Sequence, residues 1–180
     1  MNTNSVNSNG ENIHRAIAIS DANVIIDMEL GGLESAMFCL PEVEYCIPDV
    51  LFEKELRQHH SHFMSKGLKL CSLPSKAVAE VFRLSQLHPK PSKMDLFALV
   101  LAQEKQAMLL TGDQYLRKVA ETYGVECHGT VWLVEQLVKG EIITTEIARL
   151  AYRNMFENGS RLPWLEAEER LKKMEFLMYA

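Results

Sequence analysis

The sequence predicts an α/β fold built around a short parallel sheet. Short apolar segments alternate with segments of helical periodicity along most of the 180 residues, an order typical of helices packed on a parallel sheet. The strand candidates are mostly apolar, as a sheet covered on both faces requires. With 47% hydrophobic residues, the chain can bury one core without disulfides or metals.

The elements of this fold can be assigned in chain order. Strands are predicted at residues 16–20, 43–47, 68–73, 107–111 and 125–128. Helices are predicted in the segments IPDVLFEKELRQHH, PSKAVAEVFRLSQLHPKP and SKMDLFALVLAQEKQ. The first begins after Pro48 with Asp49 as N-cap, and the third opens with a capping box made by Ser92 and Asp95. Because the third segment is apolar almost all round its middle, its helix should be central and buried.

The two ends of the chain differ in character. Residues 1–12 are polar and rich in Asn, which predicts a disordered tail. From Thr130 onward the sequence predicts three helices, with Gly140 and Gly159 as C-caps and Pro163 at the start of the last. The last two helices either cap the core or present a surface for a partner.

Composition excludes several classes of protein. The net charge of −5 argues against a uniformly basic surface, so any contact with nucleic acid requires a local patch. Four Cys without zinc-like spacing predict reduced thiols and a cytoplasmic location. No apolar run is long enough to cross a membrane. The glycine motifs of common nucleotide-binding loops and the serine-hydrolase elbow are missing from the sequence.

Carboxylates follow two of the predicted strands. Asp21 ends the first strand and Asp113 follows the fourth, and the carboxyl ends of parallel strands meet at the edge where ligands bind. Two further acids are expected to join them: Asp95 in the first turn of the buried helix, and Glu55 or its neighbour Glu53 in the helix after Pro48. Each of these acids alone is better explained as a turn residue, a helix cap or a solvated group, so the prediction depends on their combination and order.

Four carboxylates in one cleft indicate a metal. Each close pair would repel by ~1 to 4 kcal/mol, depending on the effective dielectric constant. Oxygen ligands suit Mg²⁺ or Mn²⁺, which share their coordination with waters and a substrate phosphate. The chemistry that fits is metal-dependent hydrolysis of a phosphodiester. Asp27, beyond the end of the first strand, is expected to be solvated.

Four segments together resemble the PIN-domain family, small α/β nucleases that are common as the toxins of bacterial toxin–antitoxin pairs. The segments are ISDANVIID, IPDVLFEKEL, SKMDLFALVLA and LLTGDQYLRKVAETYGVECHGT, and the likeness covers residues 16–137. It implies a three-layer α/β/α sandwich with a short central parallel sheet. It also implies a nuclease domain at residues 13–140 and a C-terminal helical extension at residues 141–180.

The resemblance assigns roles to individual residues. Asp21, Asp95 and Asp113 are expected to bind one or two Mg²⁺ or Mn²⁺ ions, with Asn23 and Thr111 in support and Glu55 as the fourth catalytic acid. The spacing of Glu55 from Pro48 is off by about one residue, which keeps Glu53 as an alternative.

The function implied is endonucleolytic cleavage of single-stranded RNA by a toxin, with a possible homodimer and an antitoxin protein that masks the cleft. The acidic net charge requires basic side chains near the cleft, or the metals, to attract RNA. One alternative is a catalytically weak PIN-fold module that binds protein or RNA. Another is hydrolysis of some other phosphoester in the same cleft.

Overall fold

The structure is a computed structural model that describes residues 5–6, 12–13 and 15–179. Two short strands, β1 (Ser5–Val6) and β2 (Asn12–Ile13), pair in antiparallel fashion. Most of the predicted disordered tail at residues 1–12 lies outside the described residues.

A five-stranded parallel sheet forms the centre of the molecule, in the order β5-β4-β3-β6-β7. Its strands are β3 (Ala16–Ser20), β4 (Val43–Pro48), β5 (Lys69–Cys71), β6 (Met108–Leu110) and β7 (Cys127–His128). The predicted parallel sheet is confirmed, although β5, β6 and β7 are shorter than their apolar segments. The strand β3 lies at the middle of the sheet, so its carboxyl end points into the centre of one edge.

The helices follow the predicted alternation. They are α1 (Ala22–Leu30), α2 (Asp49–Leu51), α3 (Arg57–His60), α4 (Phe63–Lys66), α5 (Ser75–Leu87), α6 (Lys93–Lys105), α7 (Gln114–Thr122), α8 (Thr130–Lys139), α9 (Thr145–Glu157) and α10 (Trp164–Tyr179). A π-helical turn, Phe52–Leu56, joins α2 to α3, and a 3₁₀ turn, Ala36–Cys39, precedes β4. Pro48, not Asp49, occupies the N-cap position of α2.

Helices cover both faces of the sheet, which confirms the three-layer α/β/α sandwich. The helix α6 packs against β3, β4 and β6, with α5 and α7 beside it. Of the seven consecutive apolar residues at 96–102, all except Phe97 are buried, as the sequence predicted for a central helix. On the other side, α1 contacts α8 and α9. No helix among the described residues is long and apolar enough to span a bilayer.

The last two helices share the core of the molecule. In α9, Ala151 and Met155 are buried against the end of α1, where a Cβ on Gly31 would overlap the Met155 methyl group. In α10, Leu171 is fully buried, and Arg170 forms an ion pair of 2.6 Å with Glu135 of α8. The helices α9 and α10 are therefore packed on the sheet-bearing part of the chain.

Candidate active site

Asp21 lies at the junction of the two central strands. Its amide donates to the carbonyl of Leu110 in β6 (2.9 Å), which ties the end of β3 to its neighbour. Its side chain caps α1, because Oδ1 accepts a hydrogen bond of 2.9 Å from the amide of Val24. A carboxylate held by both a sheet and a helix start has little freedom to move.

Burial makes the Asp21 carboxylate electrostatically costly. The residue is 1% exposed, and its Oδ2 has no hydrogen bond to any described residue. Desolvation raises the pKa of Asp21 from 3.8 to about 6. The nearby Thr111 hydroxyl and the Val24 amide lower this pKa in part, whereas the negative charges of Asp95 and Asp27 raise it further. An orphaned, repelled carboxylate oxygen of this kind favours a cation as partner.

Thr111 and Asp113 form a tight turn after β6. Asp113 caps α7, because its Oδ1 accepts hydrogen bonds of 2.7 Å from the amides of Tyr115 and Leu116. The Asp113 amide in turn donates to the Thr111 hydroxyl oxygen (3.0 Å). The guanidinium of Arg117 donates from Nε and Nη2 to the Thr111 carbonyl (3.1 and 2.8 Å). The turn is thus fixed on both sides of Gly112.

Asp95 approaches the cluster from the opposite layer. The predicted capping box is present: Asp95 Oδ2 accepts from the amide of Ser92 (2.8 Å), and the Ser92 hydroxyl accepts from the amide of Asp95 (3.1 Å). The charge of Asp95 contributes to the raised pKa of both Asp21 and Glu55. The negative charge of Asp95 therefore acts on both of these carboxylates.

Glu53 and Glu55 lie in the π-helical turn and differ in their surroundings. Glu53 is exposed and forms an ion pair with Arg57. Glu55 is also exposed, but desolvation raises its pKa, with a further contribution from the charge of Asp95. Of the two candidates, Glu55 is therefore the one whose electrostatic environment includes the acidic cluster.

Asn23 and Asp27 lie one helical turn apart in α1 and line one cavity of about 500 Å³ together with Asp113. Asn23 is exposed. The expectation that Asp27 is solvated was wrong: it is half-buried, and its Oδ2 accepts a hydrogen bond of 2.7 Å from the Thr130 hydroxyl. Burial raises its pKa, offset in part by the hydroxyls of Ser160 and Thr130. The i,i+4 spacing from Asn23 is the local signal that places Asp27 on the same helix face.

A family model described as a PIN domain, DUF3368, matches residues 17–175. The chain belongs to the PIN-domain family. The match includes α9 and most of α10, so the helices beyond the sheet are part of what the family model describes. PIN domains are generally nucleases, and the resemblance seen in the four sequence segments is confirmed at the level of the family.

Comparison with other proteins adds a structural similarity. A PilT N-terminus domain protein from the hyperthermophilic archaeon Sulfolobus solfataricus P2 has a similar structure, with a TM-score of 0.48 and 13% sequence identity, over 68% of this chain and 93% of that one. No curated protein sequence is detectably similar to this chain.

The carboxylates of this PIN domain would suit Mg²⁺, which needs few protein ligands, better than a metal that is bound by protein ligands alone. Among residues 15–176, whose side chains are described, no group of three or more His, Cys, Asp or Glu converges as a preformed ligand set. Mg²⁺ keeps several waters, however, and needs only one or two protein carboxylates besides substrate phosphates. The free Oδ2 of Asp21, with Asp95 nearby, fits that requirement.

Proposed function

We propose that this PIN domain is a Mg²⁺- or Mn²⁺-dependent endoribonuclease that hydrolyses single-stranded RNA. The observation that carries the proposal is the buried Asp21 carboxylate, whose Oδ2 lacks a hydrogen-bond partner among the described residues and whose charge is repelled by Asp95. No structural need explains such a group, because a neutral Asn would cap α1 equally well. A cation explains it.

Each acid has a distinct part in the proposed reaction. Asp21, Asp95 and Asp113 would hold the cation. A bound divalent cation supplies positive charge that offsets these carboxylates and the negative charge that develops on the phosphate. Glu55 has a raised pKa, so its carboxylate is suited to accept a proton from the attacking water.

Basic and aromatic side chains beside the acids support a single-stranded nucleic acid as substrate. The ammonium group of Lys93, at the start of α6, lies 5.1 Å from the centre of the Phe82 ring. That of Lys90 lies 4.1 Å from the centre of the Tyr115 ring, and Tyr115 is the second residue after Asp113, the cap of α7. Exposed rings that stack on bases, next to cations that pair with phosphates, are typical of proteins that bind single strands.

The test is cleavage of a single-stranded RNA by wild-type protein and by the Asp21→Asn variant in Mn²⁺. We expect cleavage by the wild type and a loss of at least a hundredfold in the variant, with an unchanged far-UV circular dichroism spectrum. Equal cleavage by the two proteins would refute the assignment of Asp21. A parallel panel of DNA and small phosphoesters separates ribonuclease activity from hydrolysis of another phosphoester.

A second candidate function is a PIN-fold module with little catalysis. The observation in its favour is that Asp95 and Asp113 direct carboxylate oxygens to backbone amides at their own helix starts. Calorimetric titration with Mn²⁺ discriminates the two: binding that is lost in Asp21→Asn supports the nuclease, and no binding at millimolar Mn²⁺ supports the module.

The toxin role, the antitoxin partner and a homodimer belong to the same proposal. The apolar side chains exposed on α9 and α10, among them Leu150, Phe156 and Leu165, favour a protein partner over an isolated enzyme. Expression in growing cells, with and without the product of an adjacent reading frame, tests this role. Growth arrest that requires Asp21 and is relieved by the neighbour supports a toxin–antitoxin pair.

A further inference from the structure

A groove leads away from the acidic cluster along the start of α8. The cavity of about 500 Å³ that contains Asn23 and Asp113 shares Gly112, Arg161 and Leu162 with a second cavity of about 380 Å³. The shared residues make the two cavities adjoining parts of one depression. We call the second part the Arg161 groove and define it by Arg117, His128, Trp132 and Arg161.

The groove is lined by several basic side chains, whereas the acids that line the adjoining cavity are Asp27 and Asp113. Three arginines line it, but Arg170 is paired with Glu135 (2.6 Å) and Glu166 (2.7 Å). The guanidinium of Arg117 already donates two hydrogen bonds to the Thr111 carbonyl. Arg161 is exposed and forms no ion pair with the described part of the chain. Its guanidinium is therefore available to a phosphate, for which its planar fork is well suited.

The groove also contains a flat aromatic pair. The ring of His128, at the end of β7, stacks on Trp132 in the first turn of α8, with centroids 4.0 Å apart and planes within 15°. Both side chains are partly exposed and line the cavity. Stacked rings of this kind offer a surface for a nucleobase without demanding a particular sequence.

The turn that presents Arg161 is held in place by the molecule. Gly159 adopts a left-handed conformation with φ +87°, and the Ser160 amide donates to the carbonyl of Met155 (2.9 Å). The Ser160 side chain lies beside Asp27, close enough to lower the pKa of that carboxyl. Asp27 is also bonded to Thr130 at the start of α8. The Asp27 carboxylate thus links α1 to α8, and the turn lines the same cavity beside it.

We infer that the Arg161 groove binds the nucleotide of a single-stranded RNA next to the scissile phosphate, with Arg161 on its phosphate and the His128–Trp132 pair under its base. The inference rests on the proposed nuclease function and deepens it, because it identifies where the strand leaves the acidic cluster. It also gives the turn between α9 and α10 a role in substrate binding.

The first experiment measures binding in EDTA, so that the strand is not cut. Fluorescence anisotropy of a labelled single-stranded RNA of about ten nucleotides compares wild type with Arg161→Ala, Arg161→Lys and the matched control Arg153→Ala, an exposed arginine of α9 without an ion pair to any described residue. We expect Arg161→Ala to weaken binding about five- to tenfold and to reduce the salt dependence by about one phosphate contact. Arg161→Lys should retain part of the affinity, and Arg153→Ala should match the wild type.

The second experiment uses the two tryptophans of the sequence. In a Trp164→Phe variant Trp132 is the sole tryptophan, and its fluorescence should be quenched when RNA stacks in the groove. In a Trp132→Phe variant the remaining Trp164, which packs against Tyr152 and Phe156, should show no quenching. Inorganic phosphate as a competitor distinguishes a simple anion site from a nucleotide site. Phosphate would occupy a simple anion site without quenching the fluorescence of Trp132.

The outcomes separate this inference from the proposed function. If the wild type cleaves RNA but Arg161→Ala binds as tightly as Arg153→Ala, the groove is wrong and the nuclease stands. If the wild type cleaves nothing but Arg161→Ala and Trp132 quenching behave as expected, the nuclease is wrong and the groove stands. If the wild type fails to bind RNA in EDTA, the groove is wrong, because neither Arg161 nor the aromatic pair depends on a cation.

Discussion

Replacing Asp21 with Asn should make the metal-free protein more stable at neutral pH. In the folded state the pKa of Asp21 is raised from 3.8 to about 6, so an ionised Asp21 opposes folding. The rise corresponds to about 3 kcal/mol once both the folded and unfolded forms are ionised. Asn keeps the cap on α1, since its side-chain oxygen can accept from the Val24 amide, and removes the buried charge.

The difference in the free energy of unfolding between Asp21→Asn and the wild type should increase with pH. Below 3.8 the carboxyl is protonated in both states, so the charge costs nothing. As the pH rises from 3.8 through about 6, the unfolded chain ionises first, and the wild type loses stability that the variant keeps. The stability advantage of Asp21→Asn should therefore be small near pH 4 and fully developed at about pH 7.5.

Urea unfolding in EDTA at these two pH values measures the difference, with Asp113→Asn as control. Asp113 is also a helix cap, at the start of α7, and is less buried than Asp21. Its Asn variant should change the free energy of unfolding by less than about 1 kcal/mol. Adding Mn²⁺ at a hundred times its Kd should restore about 2.7 kcal/mol to the wild type alone. A variant less stable than the wild type at pH 7.5 in EDTA would refute the reasoning.

Two further predictions use matched pairs. Glu55→Gln should lower Mn²⁺-dependent RNA cleavage about 10- to 100-fold, as loss of a carboxylate close to a metal site does. The control Glu53→Gln should leave the cleavage rate within about threefold of the wild type. Equal rates for the two variants would show that Glu55 is not part of the site. Gly31→Ala should cost about 1 to 2 kcal/mol in thermal or urea unfolding, because its Cβ would overlap Met155 in the packed core. Gly112→Ala, where a Cβ meets nothing within 4 Å, should be at least as stable as the wild type, and a similar loss in both would contradict the contact with α9.

Local rules account for the parts of the molecule that sequence predicts well. The capping box of Ser92 and Asp95 is a contact across three residues, and its signature is written in those residues alone. The burial of α6 follows from an apolar segment with no polar face. The position of Asp21 follows from the abrupt end of the apolar strand β3. None of these features depends on knowing which distant segments meet.

Contacts between distant segments explain what sequence did not predict. The hydrogen bond to Asp27 comes from Thr130, 103 residues away, so the neighbouring residues place Asp27 on a helix face but do not predict its partial burial. Arg161 lines the same cavity as Asp113 only because α9 folds back against α1. An exposed arginine in a turn has no sequence signal for binding; its significance depends on the groove that other segments complete.

The uncertainty between Glu53 and Glu55 has a structural cause in the π-helical turn. The amide of Arg57 donates to the carbonyl of Phe52, five residues earlier, so this turn holds one residue more than an α-helical turn. An extra residue shifts every later side chain by about 100° around the helix axis, and counting from Pro48 with α-helical spacing therefore misplaces the acid by one position. The buried side chains of Phe52 and Leu56 anchor both ends of the turn and leave Glu55 to be influenced by Asp95. Single π-helical turns are frequent at functional sites. The presence of one here therefore supports the assignment of Glu55 to the site.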